Sequence, residues 1–86
     1  MVLKSMPYAQ AKVYETTRGF ILVSYVTTVA EIEDGWLTIY GLYSKTTRRH
    51  ISAFVKEYCG MDYYTAKQLY YDGMKINLET GEVVKI

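Results

Sequence analysis

Eighty-six residues with a formal net charge of +1, half of them apolar and 22% charged, make one globular domain and leave no length for a second. A chain of this size buries roughly 64% of its unfolded surface, enough for one modest core. So balanced a charge excludes a general polyanion binder or an acidic mimic of DNA, and it confines any electrostatic function to a local patch.

Met1 to Gln10 is weakly patterned around Pro7 and reads as a tail or an edge strand. Lys4 interrupts it before an apolar run develops, so it lacks the core of a signal peptide. The domain proper is expected over 11–86. Val13-Tyr14-Glu15 is strand-like and runs into Thr16-Thr17-Arg18-Gly19, a turn. FILVSYVTTVAEI, Phe20 to Ile32, is dense in β-branched and aromatic residues without Gly or Pro, and predicts a central strand. Glu33-Asp34-Gly35 is a hairpin turn of the Asp-Gly type, and Trp36 to Tyr40 is the return strand, ended by Gly41. The period then changes. Ile51, Phe54, Val55 and Tyr58 fall on one face of a helix that Gly60 stops. Asp62 caps a second helix, Tyr63 to Tyr71, closed by Gly73. MKINLETGEVVKI alternates around Thr80-Gly81 and predicts a C-terminal hairpin. The expected class is α+β: an antiparallel sheet of three N-terminal strands plus the C-terminal hairpin, packed by two short helices.

The chemistry is sparse. The single cysteine, Cys59, permits no internal disulfide and fits a reducing, cytoplasmic setting. The single histidine, His50, lies nine residues from it, about 13.5 Å along a helix and on the opposite side, so the two make no nucleophile–base pair. No Cys/His set has metal-ligand spacing, no glycine-rich phosphate loop is present, and no window holds the ~20 apolar residues of a membrane span. Glu31, Glu33 and Asp34 crowd a hairpin tip and read as a solvated turn rather than a cation site. The expectation is a protein without cofactor, metal or catalytic set, and His50 is expected in a structural, half-buried role.

Tyr43 to Phe54, YSKTTRRHISAF, carries the strongest local signal. Arg48, Arg49, Ser52 and Lys56 span an arc of about 100° turned away from the apolar face, with Lys45 just upstream. Ser44, Thr46 and Thr47 are all plausible N-caps, with Thr46 the cap if the basic face is merely solvated. A helix start favours acids, yet this one carries two arginines and no acid before Glu57, a mismatch of ~0.3–1 kcal/mol per charge. An arriving anion reverses that sign, so Lys45, Thr46, Thr47, Arg48, Arg49 and Lys56 are the candidate partner- or anion-binding residues, set against a merely solvated basic face. On the second helix Tyr64 and Tyr71 face outward with Lys67 between them, candidates for stacking on bases, for a protein interface, or for packing under a terminal segment.

The segments SYVTTVAEI and YSKTTRRHISAF together resemble a small uncharacterised domain family of phages and mobile elements of Gram-positive bacteria. The resembling residues are Ser24, Tyr25, Thr27, Val29 and Ala30, then Tyr43, Ser44, Thr46, Thr47, His50, Ile51 and Phe54, across roughly 20–60. The resemblance implies no activity; it implies a phage-type accessory gene in a bacterial host. Small proteins in that setting often inhibit host proteins, defence nucleases included. The expected function is therefore a non-enzymatic binding protein, an anti-CRISPR-like inhibitor that contacts a host protein such as a defence nuclease complex. The alternatives are a nucleic-acid-binding regulator using the basic helix, and a homodimer joined through an exposed strand edge.

Overall fold

The computed structural model describes Val2–Lys4 as backbone and residues 10–86 in full. Pro7 and its neighbours lie outside the described residues. Seven strands follow one another as β1 Val2–Lys4, β2 Ala11–Thr16, β3 Gly19–Ser24, β4 Thr27–Glu33, β5 Trp36–Ile39, β6 Met74–Asn77 and β7 Val83–Lys85. They form one sheet in chain order, and every neighbouring pair is antiparallel. Helices α1 (Lys45–Cys59) and α2 (Tyr63–Asp72) intervene between β5 and β6. The class is α+β, as the change of period implied. α1 packs on β3 and β4, and α2 on β5 and β6.

One strand expectation is corrected. The run Phe20 to Ile32 is two strands, folded back on itself at Tyr25–Val26 with Ser24 opposite Thr27. Nothing local announces the turn, because it contains no glycine, proline or asparagine. Tyr25 adopts a left-handed φ of 58°, and its N–H donates to the Gln10 carbonyl at 2.9 Å. The register shifts between Leu22 and Val23. That bulge puts two β4 residues against one on β3, which is why consecutive Val29 and Ala30 are both fully buried.

The register explains the core. Val13, Leu22, Ala30 and Ile39 lie in one cross-strand row, and Phe20, Ile32, Leu37 and Ile76 in another. The helices lay Ile51, Phe54, Val55, Ala66 and Leu69 over these rows. The opposite face of the sheet carries Tyr14, Ile21 and Glu31 in register, and Lys75 places its ammonium 5.0 Å from the centre of the Trp36 ring.

Local chemistry sets the boundaries. At Glu33–Trp36 the two central residues have positive φ, 54° at Asp34 and 84° at Gly35, the type I′ turn that fits a twisted hairpin. Gly41 is required by close approach: a Cβ there would collide with the Tyr43 ring. Ser44, not Thr46, caps α1; its Oγ accepts from the Thr47 N–H at 3.1 Å. Gly60 closes α1 in the left-handed region and gives its N–H to Val55. Asp62 then caps α2 by accepting from the Thr65 N–H at 2.9 Å and the Thr65 hydroxyl at 2.7 Å. In the last hairpin the Asn77 side-chain oxygen accepts from the Glu79 and Thr80 N–H groups, an Asx turn.

Candidate binding face

The outward side of α1 is a run of cations. Lys45, Arg48, Arg49 and Lys56 are all exposed. Among the described residues none of the four is ion-paired; the pairs are made elsewhere, by Arg18 with Asp34 and with Glu33. Arg18 belongs to the β2–β3 turn and holds the β4–β5 tip, so the acidic cluster there is answered by a guanidinium. Among the described residues no group of acids, histidine or cysteine is arranged to hold a metal ion. Arg18 also keeps the Asp34 carboxyl below its ordinary range through their hydrogen bond.

Thr47 leaves the expected site. It is buried, and its hydroxyl lies 3.2 Å from Ser24 Oγ and accepts from Ser44 Oγ at 3.2 Å. The reason is helical geometry: Thr47, His50, Ile51 and Phe54 share the side of α1 that meets the sheet. Thr46 is only half-buried. With Ser44 and Thr47 turned to each other, the phosphate cradle expected at this helix start loses its main hydroxyl. What remains is a basic stripe along the helix.

Beneath the stripe sits a polar junction that links sheet to helix. His50 is 1% exposed and Ser24 2% exposed, and His50 Nδ1 is 2.8 Å from Ser24 Oγ. The exposed ring of Tyr25 stands 6.0 Å from the His50 ring, centre to centre. Burial pushes the His50 imidazole below its usual value and favours the neutral form. Among the described residues every buried side-chain nitrogen and oxygen has a hydrogen-bond partner. Ser24 and His50 have the spacing of a nucleophile and its base. Both are sealed from solvent, so a substrate has no approach to the pair. Cys59 is half-buried, and burial drives its thiol up to about 12, far from a reactive thiolate.

The tyrosines divide. Among the described residues Tyr25, Tyr40, Tyr43, Tyr64 and Tyr71 are exposed, Tyr64 most at 75%. Tyr58, Tyr63 and Tyr70 pack against the core. Tyr64 and Tyr71 therefore point outward, with Lys67 placing its ammonium 5.9 Å from the centre of the Tyr71 ring. The fold joins the two candidate groups. A depression of about 540 Å³ between α1 and the start of α2 is lined by Ser52 and Lys56 on one side and by Met61, Tyr63 and Tyr64 on the other. Burial raises the Tyr63 phenol, while the nearby charge of Arg48 pulls it the other way.

Sequence reasoning missed the Ser24–Thr47–His50 junction and the place of Met61 and Tyr63 beside the stripe. The signal for the first was present: Ser24 lies in one resembling segment, Thr47 and His50 in the other, and the fold brings the segments together. No periodicity within either segment encodes that contact.

A family model, that of the family of unknown function DUF8033, matches residues 2–73. The chain belongs to this family. The DUF8033 match takes in β1 to β5 and both helices, hence the whole basic stripe, Tyr64, Lys67 and Tyr71; β6 and β7 lie beyond the matched residues. No curated protein and no solved structure matches the chain. Among the described residues no helix is long and apolar enough to cross a membrane.

Proposed function

We propose that this DUF8033 protein is a small non-enzymatic binding protein that acts by protein–protein contact through the outer face of α1 and α2. Its setting on this reading is a phage or mobile element of Gram-positive bacteria, and its target a host protein of a defence system, inhibited in the manner of an anti-CRISPR protein. The observation that carries the contact reading is the coincidence, on one face, of two outward tyrosines with four cations that have no ion pair among the described residues. Tyrosine and arginine are the residues that anchor protein interfaces. The sealed Ser24–His50 pair supports a structural role for the one histidine. A net charge near zero weighs against nucleic acid as the main partner.

The same four cations favour a second reading, a nucleic-acid-binding regulator with affinity falling as salt rises. One experiment separates the two. Immobilised protein is exposed to a Gram-positive bacterial lysate with and without nuclease, beside Arg48→Glu/Arg49→Glu. The double variant is expected to fold, because both side chains are exposed and surface substitutions of this kind change stability little. The protein reading expects a defined protein that survives nuclease, is lost with the double variant, and re-forms the complex when purified. Nuclease-sensitive capture, or nucleic acid alone, overturns it in favour of the regulator.

A further inference from the structure

The depression beside Lys56 has shape as well as charge. Its volume of about 540 Å³ lies in the range of pockets that hold a ligand or an inserted side chain. Met61 and Tyr63, both packed against the core, form its apolar part. Its rim at Gly60 is open, since a Cβ there would meet nothing within 4 Å. Arg48, Ser52 and Lys56 rise in a line along α1, one turn apart, so the cationic edge runs into the depression. Asp62 is the one carboxylate in the lining, and it is already engaged by the Thr65 N–H and hydroxyl.

Tyr64 divides this depression from a second, of about 490 Å³, on the other side of α2. The second is comparably sized and also partly apolar, with Leu69, Met74 and Ile76 in its walls. Its only charged lining residue is Asp72, whose carboxylate accepts from the Gln68 amide at 3.0 Å. Asp62 keeps its charge, since its Thr65 donors are neutral, but only the first depression sets a cation, Lys56, beside its apolar wall, with Arg48 continuing the positive edge along α1.

We infer that the α1–α2 depression receives a leucine-sized or aromatic side chain from a protein segment whose flanking residues are aspartate or glutamate. This rests on the protein-contact reading and names the partner's chemistry. The apolar side chain is desolvated against Met61 and Tyr63, and the flanking carboxylates meet Lys56 and Arg48, which gives steering and sequence preference more than raw affinity. A nucleic-acid base fits less well. The Tyr63 and Tyr64 rings are 6.1 Å apart and inclined at 59°, which offers no flat platform for stacking.

The test uses three defined probes in amide-resolved NMR titrations: a hexapeptide with a Leu-Trp pair between glutamate pairs, the same peptide with lysines, and a short oligothymidine. The acidic peptide is expected to shift Ser52, Lys56, Met61, Tyr63 and Tyr64 and to bind several-fold more weakly in 0.5 M than in 0.05 M salt (about a 4 Å against a 14 Å screening length). Lys56→Glu removes that binding and Tyr64→Ala weakens it, each with an unchanged thermal midpoint. Equal shifts from the lysine peptide, shifts mapping away from the depression, or tighter binding of oligothymidine at the same residues overturn the inference. Failure here is distinguishable from failure of the protein reading: a nuclease-resistant partner lost with Arg48→Glu/Arg49→Glu keeps that reading even when the peptide leaves the depression silent.

Discussion

The hairpins at Asp34–Gly35 and Tyr25–Val26 close the two ends of β4 with two-residue turns, yet they are held differently. At the first, both turn residues sit at positive φ, 54° and 84°, and both are types that tolerate it. At the second, Tyr25 takes a φ of 58° that a bulky side chain rarely adopts, and Val26 is 96% exposed. That turn is anchored from outside: Ser24 Oγ is 2.8 Å from His50 Nδ1 and 3.2 Å from Thr47 Oγ1, and the Tyr25 N–H reaches Gln10. A turn built from permissive residues is a local object. A turn built from Tyr-Val belongs to the helix that pins its base.

The largest expected effect follows from cutting that pin. His50→Ala removes a buried ring and takes from Ser24 the nearer of its two partners, at ~2–4 kcal/mol, read as a fall in the urea midpoint. Native-state hydrogen exchange should accelerate first at Tyr25, whose N–H donates to Gln10, and leave Asp34, whose N–H donates to Arg18, protected. Equal acceleration at both tips would break the comparison.

Acid should act through the same junction. His50 is held neutral by burial, while the unfolded chain takes up a proton below about pH 6.5. Above that value both states are neutral and stability is flat. As pH falls below it, only the unfolded state gains the proton, so stability declines with a slope of at most ~1.4 kcal/mol per pH unit until the folded-state value is passed. Asp34 and Asp62 have lowered values and contribute only in the carboxylate range. His50→Gln should flatten the curve from about pH 6.5 downward to where the carboxylates begin to titrate; an unchanged slope would mean that another group carries it.

Smaller effects should separate the turns themselves. Gly35→Ala forces a Cβ into φ 84° and should cost about 1 kcal/mol or more in thermal melts. Tyr25→Gly relieves strain but loosens the unfolded chain, so the two terms offset and the midpoint should move by less than ~1 kcal/mol either way. The smallest effect is Arg18→Ala. Its ion pairs are exposed, so the urea midpoint should not move measurably and salt should not change that result. A clear loss would show that the Asp34–Gly35 tip also depends on a tertiary anchor.

Much of the fold was legible because short-range rules sufficed. Asp-Gly, the helical spacing of Ile51, Phe54, Val55 and Tyr58, the Asp62 cap and the closing glycines each act within a few residues, and the structure keeps them. The single strand over Phe20 to Ile32 was the miss, since a turn without turn residues leaves no local trace. The candidate face was legible in part. The wheel put Arg48, Arg49 and Lys56 outside correctly, but a wheel has no knowledge of depth, so Thr47 counted as a ligand donor until the sheet was laid against it.

By itself the sequence determined the α+β class, the two helices with their stops, the Asp-Gly and C-terminal hairpins, and the unbalanced positive charge along one helix. These depend on backbone preferences and on periodicity, which are properties of neighbours in the chain. Tertiary structure alone decided that Ser24 meets His50 across 26 positions, that Thr47 is buried against the sheet, and that Lys56 and Tyr64 line the same depression. Those contacts depend on how the helices settle on the sheet. That placement minimises exposed apolar area over the whole core, and no local segment encodes it.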